Sequence, residues 1–400
     1  MMSFTRHVVR FSAAVLSAAM LATFAPSAVR AADPYEIDAI LSLTGQLAFV
    51  GADQQQALKA LEGFVNRNGG IKGRPIAFVI SDDQSDPKNA LQLAQGLIAK
   101  NVPVIIGPAT PQGCAAVAPL VAQKGPVMYC VANAGTPVVG GYEFLTLFGF
   151  DVQFPVTLRY FRMLGLKKLA YITATDAGGL DAERAIVAAA ALPENKDIAI
   201  VAREHFGTGD LSTTAQMARI KAANPDFVIA WATGTPAGTM FRSAKDLGGL
   251  DLPIVTSPGN LNAAFFKSYG SYLPTNLYFA TVPYYANQTL LNPATKHAIA
   301  DQTAALAAIG VKPDGLAIGA WDPAVLVVEA LRKLGPDASA QKLHDYLVNL
   351  QGWVGVNGTY DFRANPQRGL GQNNVVMVKF NSAGNVAVSK FGGVPLLPGK

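Results

Sequence analysis

Short apolar runs of strand length alternate along most of the chain with longer stretches in which apolar residues recur at every third or fourth position. The first pattern predicts buried strands and the second amphipathic helices. Their regular alternation predicts parallel sheets built from strand-helix-strand units, an α/β fold. Predicted strands cover residues 36–43, 75–81, 103–106, 126–130, 168–173, 198–206, 227–232, 253–256 and 277–280. Predicted helices cover 52–66, 87–100, 112–122, 155–164, 181–190, 214–224, 236–247 and 262–269. Three more, 294–309, 323–334 and 338–350, follow without a strand between them, as if returning to cover the first array. One array ends and another begins near FGFDVQFP, residues 148–155, and the second runs out of strands near FATVPYY, residues 279–285. An extended segment at 358–362 then leads to VVMVKF and VAVSKF, whose NSAGN connection predicts a closing hairpin. The expected division is a first lobe of 33–150 with 282–360 and a second of 151–281 with 361–400.

Open parallel sheets bind ligands where strands end and helices begin, so the strand ends carry the candidate chemistry. VIIG is followed by PATPQG, VMYCVA by NAGTP, AYITAT by DAGG, VIAWAT by GTPAG and PIVTS by PGN. Glycine admits close backbone approach, Thr and Asn offer short polar groups, and a helix start favours negative charge. Any one such turn is an ordinary connection; five of them, spread over both halves, point to a shared site.

Composition narrows the class. With half of its 400 residues hydrophobic the chain can fill two ordinary cores. The net charge of +5 owes three of its positive charges to Arg6, Arg10 and Arg30 at the front, so nucleic acid is not indicated as a partner. Arg6 and Arg10 precede FSAAVLSAAMLATFA, which is short for a bilayer span and ends in small residues. Residues 1–32 therefore read as a secretory signal peptide, with a membrane anchor as the alternative. Cleavage after Ala31 or Ala32 leaves no nearby cysteine for a lipid. In an oxidising compartment Cys114 and Cys130 are expected to form one bridge, the alternative being two free thiols.

A catalytic reading lacks its parts. There is no G-x-S-x-G, no G-x-G-x-x-G, and GPATPQGC lacks the lysine of a phosphate loop. His205, His297 and His344 are isolated, and no pair has metal-ligand spacing. Asp82, Asp83 and Asp86 read as a solvated loop, and Trp321 and Asp322 as a packing residue and a helix cap. No enzyme activity, cofactor or metal is expected.

In their order and spacing, LSLTGQLAFVG, NGGIKGRPIAFVISDDQSDPKNA, VIIGPATPQGCAAVAPL and VANAGTP resemble the type I periplasmic solute-binding proteins of branched-chain amino acid ABC transporters. The resemblance covers essentially the whole chain after the leader. It implies two three-layer lobes with parallel central sheets, joined by a three-segment hinge, and one small solute between them. It places the solute carboxylate against Thr110, Pro111, Asn133, Ala134 and Thr136, with Phe49 as an apolar contact. From the second lobe it implies Asp176 with Ala177 and Gly178, Thr233 to Thr235, and Pro258 to Asn260. For each of these the alternative is a solvated turn or a helix cap. Two departures bear on the solute: TDAGGLD lacks the aromatic usual among amino-acid binders, and TSPGNLN offers Asn260 where they place an acid. The loops are similar to those of relatives that bind aromatic carboxylates. The expected protein is a periplasmic monomer that captures a small carboxylate, either a hydrophobic amino acid or an aromatic acid, and delivers it to an inner-membrane ABC permease. The alternative is a sensory protein of the same fold that reports a small amide or acid to a membrane receptor.

Overall fold

The computed structural model describes residues 33–132, 135–286, 288–312, 318–381 and 385–396. Its first sheet holds β1 (Tyr35–Leu41), β2 (Ile76–Asp82), β3 (Val104–Ile106), β4 (Val127–Cys130) and β5 (Glu143–Leu145). These run parallel in the order β2-β1-β3-β4-β5. Between them lie α1 (Ala48–Arg67), α2 (Pro87–Ala99) and α3 (Pro111–Val121). The chain then passes through α4 (Phe150–Met163) into a second sheet.

That sheet contains β6 (Lys168–Ala174), β7 (Ala199–Phe206), β8 (Phe227–Trp231), β9 (Ile254–Thr256) and β10 (Leu277–Thr281), with α5 (Ala177–Ala190), α6 (Thr214–Ala222), α7 (Thr235–Asp246) and α8 (Ala263–Tyr269) between them. After β10 come α9 (Pro293–Ala307), α10 (Ile318–Leu334) and α11 (Ala340–Val348), which pack on α1, β3 and β4 of the first sheet. A hairpin of β11 (Gln351–Gly355) and β12 (Gly358–Asp361) follows. The chain then returns to the second sheet, where β13 (Val376–Lys379) adds antiparallel to β10 and β14 (Val386–Ala387) to β13. The second order is thus β14-β13-β10-β9-β8-β6-β7. The connection within the closing hairpin, NSAGN, lies partly outside the described residues.

Every residue of β3, β4, β8 and β9 is buried, as continuous apolar runs require when helices cover both faces of a parallel sheet. On the first sheet α1 packs with α9 and α10, and α2 with α3; on the second, α4 packs with α5, and α6 with α7. Both sheets reverse their strand order, at β1/β3 and at β6/β8, which opens a crevice at the carboxyl ends of those strands.

Two helices begin earlier than their prolines suggest. Pro155 and Pro323 were natural first positions, yet each lies inside its helix, α4 and α10. In α4 the extra turn is drawn in by packing: the Phe150 and Phe154 rings meet Trp231 edge-on at 5.2 and 4.9 Å. The carbonyl that Pro155 leaves without an amide belongs to Asp151, which is exposed to water. In α10, Asp322 is not a cap. It is wholly buried and accepts from the Val356 and Asn357 amides and the Tyr360 hydroxyl at 2.9–3.0 Å, fastening the β11-β12 turn to the helix. Burial raises its carboxyl to about 6 despite those hydrogen bonds.

Candidate ligand-binding site

A cavity of about 440 Å³ lies between the carboxyl ends of the two sheets, within the range of small-molecule sites. Loops after β1, β3 and β4 form one wall, and loops after β6, β8, β9 and β10 the other.

On the first-sheet side, Gln46, Leu47 and Val50 line the cavity at the start of α1. Gly51 is required there, since a Cβ would stand 2.0 Å from the Ser42 carbonyl oxygen. The acidic loop that read as solvated holds this segment in place. Asp83 is fully buried and accepts from the Ser42 hydroxyl at 2.6 Å and the Ser85 amide at 2.9 Å; burial raises its carboxyl against those bonds. For Asp82, burial is outweighed by the Thr44 hydroxyl and the amides of Gln84, Leu43 and Thr44, which hold the carboxyl below its usual value. Asp86 caps α2 through the Lys88 amide.

At the break after β3, Gly107 has φ +112°, and a Cβ there would stand 2.1 Å from the Ile40 carbonyl oxygen. Thr110 caps α3: its Oγ1 accepts from the Gly113 amide at 3.0 Å, which leaves its own proton to donate. Cys114 in α3 and Cys130 at the end of β4 are disulfide-bonded with Cα atoms 5.9 Å apart, tying the helix that carries Thr110 to the neighbouring strand. Gln54 of α1 donates to the Val131 carbonyl at 3.1 Å, and both residues line the cavity.

On the second-sheet side, Asp176 caps α5 by accepting from the Gly179 amide at 2.7 Å. Its other oxygen accepts from Gln112 Nε2 of the first-sheet side at 3.3 Å. Trp231, at the end of β8, and Phe150 supply an aromatic wall, with Tyr285 and Thr281 nearby. Thr235 and Pro236 open α7, whose N-cap is Gly234, with φ +70° and no side-chain cap.

Of the residues the sequence singled out, Thr110, Pro111, Asp176, Gly178, Thr233, Thr235, Pro258 and Gly259 line the cavity, and Ala177 does not. Phe49 reaches across the cleft instead: its ring stands 3.3 Å from where a Gly234 Cβ would be. Thr136 is exposed and outside the lining. Asn133 and Ala134 lie outside the described residues. Asn260 is wholly buried beneath the wall. Its Oδ1 accepts from the Gly234 amide at 2.8 Å, and its Nδ2 donates to the Ala232 carbonyl at 2.8 Å and to Thr256 Oγ1 at 3.3 Å. It is a keystone for the start of α7. The sequence missed Trp231, Phe150 and Gln112; their signal was position, since Trp231 and Gln112 sit at strand ends already marked by small polar residues and Phe150 lies in the 148–155 segment marked as the first boundary between arrays.

Electrostatically, the N-termini of α1, α2, α3, α5 and α7 all supply lining residues. The positive ends of several helix dipoles therefore face one cavity. Among the described lining residues none is cationic, and Asp176 is the one ionisable carboxylate.

A family model described as periplasmic binding protein matches residues 34–385. The chain belongs to this family. The binding protein is 24% identical over 334 residues to the "Leu/Ile/Val-binding protein BraC3" of Rhizobium johnstonii, an alignment covering 82% of this chain and 86% of that one. In fold it matches an extracellular ligand-binding receptor from Rhodopseudomonas palustris with a TM-score of 0.78 at 21% identity, covering 88% of this chain and 99% of that one. It also matches the branched-chain amino acid transporter substrate-binding protein LivJ of Streptococcus pneumoniae in complex with isoleucine, with a TM-score of 0.74 at 22% identity, covering 89% and 99%. Among the described residues of this binding protein no helix is long and apolar enough to cross a membrane, and no group of three potential metal ligands is found.

Proposed function

We propose that this binding protein captures a small carboxylate with a flat apolar body, closes the loops of its two sheets around it, and presents it to an inner-membrane ABC permease. The observation that carries the reading is the convergence of helix N-termini on a cavity with no cationic side chain among its described lining residues. Helix amides and hydroxyls can hold an anion there without a buried lysine or arginine. Asp176 already accepts two hydrogen bonds, one of them capping its own helix. An ammonium in the cleft would have to share that already engaged carboxylate or stand unpaired at a cost of several kcal/mol, which favours a solute that carries no amine. Trp231 and Phe150 offer an apolar wall suited to an aromatic acid. A solute that touches both walls favours the closed state by its differential contacts.

A second reading, capture of an aliphatic α-amino acid, is favoured by the name of the Rhizobium relative and by Asp176, a carboxylate among the described lining residues that can pair with an ammonium. Thermal unfolding with leucine, isoleucine and valine against benzoate and coumarate separates the two, because a bound solute stabilises the folded protein by mass action. A rise in Tm with the aromatic acids alone supports the first reading. A rise with the aliphatic amino acids alone replaces it with the second. No rise with either set refutes capture of these carboxylates.

A further inference from the structure

The two walls of the cleft touch at a point where no solute is needed. Gly135, in the loop between β4 and β5 of the first sheet, donates its amide to Asp181 Oδ2 of α5 in the second sheet at 2.8 Å. The carbonyl of the same residue accepts from Arg368 Nη2 at 2.7 Å. Arg368 is buried and lies on the last passage of the chain between the sheets, after β12 and before β13. Its Nη1 donates to the Leu147 carbonyl at 3.4 Å, on the first such passage, where Leu147 adopts a left-handed backbone with φ 60°. Gly149 makes room for this contact, since a Cβ there would stand 2.9 Å from Arg368 Nε. The acidic groups that face the guanidinium are Asp151, Asp181 and Glu143. Asp181 also pairs with Arg184, which is mostly exposed.

We propose that Asp181, Gly135 and Arg368 form a latch that holds the cleft closed: Arg368, fixed between two crossing segments, presents the Gly135 peptide, and Asp181 arrives with the second sheet to take its amide. Burial gives the guanidinium few competing waters, so it anchors the loop whether the cleft is open or closed. The Asp181 contact spans the two sheets and exists only when they meet. It is a charge-assisted hydrogen bond to a peptide whose other face is already polarised by a cation. Asp181 does not line the cavity, so it acts on the solute only through the population of the closed state. The exposed Arg184 pair is screened by solvent and adds little.

The latch rests on the reading that the cleft closes on a solute, and its test is arranged to separate the two. Nitroxide labels at Lys88→Cys and Lys221→Cys, both exposed and on opposite sheets, report the inter-sheet distance distribution by pulsed electron resonance. It is recorded without solute and with benzoate, coumarate or leucine. D181A is expected to lower the closed-to-open ratio roughly 10- to 100-fold and to speed solute dissociation by a similar factor. R184A is expected to stay within about two-fold of the parent. A D181A protein with the parent's closed fraction and dissociation rate overturns the latch while leaving solute capture intact. A D181A effect on the solute-free distribution, with no response of the parent to any probe, sustains the latch and overturns capture of these carboxylates. A parent that shows no closed population under any condition overturns both.

Discussion

Replacing Asn260 by Ala tests whether a residue outside the cavity builds its wall. The side chain supplies the acceptor for the Gly234 amide and the donor for the Ala232 carbonyl, each at 2.8 Å, in a fully buried place. Alanine leaves both backbone groups without those partners, at about 1–3 kcal/mol for each unsatisfied group. Water from the adjacent cavity can reach part of the space, so the expected loss is about 2–4 kcal/mol. Urea unfolding with linear extrapolation reads that loss as a lower midpoint at unchanged slope. Because Gly234 opens α7, the helix start should shift, and affinity for whichever carboxylate stabilises the parent should fall roughly 10-fold or more. N260D adds a control of sign: it keeps an acceptor for Gly234 but places an ionised carboxylate beneath the Ala232 carbonyl, so it should be destabilised at neutral pH. It should recover on acidification, when the protonated acid can donate as the amide does. An N260A protein within about 0.5 kcal/mol of the parent, binding with parental affinity, would refute the keystone role.

Trp231→Ala should weaken an aromatic acid about 10-fold or more and abolish the fluorescence change on binding, as titration with benzoate or coumarate would show. Reduction of the Cys114–Cys130 bridge, which spans 16 residues, should cost about 3 kcal/mol, read as a lower Tm in calorimetry with reductant. Burial holds the Asp322 carboxyl at about 6 and the Glu143 carboxyl at about 7, Arg368 only partly offsetting the latter. Both values lie above those of an unfolded chain, so their contribution is complete below about pH 4 and is lost as pH rises toward 7. Urea unfolding of D322N should accordingly show a shallower decline between pH 4 and 6 than the parent, by up to about 1.4 kcal/mol per pH unit.

Much of this architecture was legible because parallel sheets buried on both faces write themselves as uninterrupted apolar runs, such as VII in β3 and FVIAW in β8. The strand ends were legible for a related reason: small residues must follow where a helix start crowds a strand, as Gly51 and Gly179 show against Ser42 and Ala174. The three-residue β5 was missed, since EFL has too few residues to reveal a period. β11 was missed because QGWVG opens with Gln-Gly and has no buried face until Gly355. Pro155 and Pro323 misled because a proline's local meaning yields to aromatic packing in α4 and to the hairpin bound at Asp322 in α10.

The site shows the same boundary between local and tertiary information. Thr110 and Asp176, which the resemblance implied for the site, both line the cavity and both cap helices, the alternative reading that a local pattern beside a strand end also offered. Asn260 was assigned to the solute because its loop is of the right kind, whereas its side chain turns inward to the backbone of the neighbouring loop, a choice only tertiary geometry makes. Trp231 was hidden by its neighbours: an aromatic closing a buried strand reads as core until the strand is seen to end in a cavity. Arg368 and Gly135, distant in sequence, meet only through the crossing of the chain between sheets.

The central claim is that helix N-termini hold a carboxylate in the cleft between the two sheets. Calorimetric titration of the protein with benzoate and coumarate, and with their neutral amides, tests it most directly, because acid and amide share one shape and differ in charge. Binding of at least one acid more than about 10-fold tighter than its amide is the predicted result. Equal affinity for acid and amide, or no heat from either acid, would contradict it.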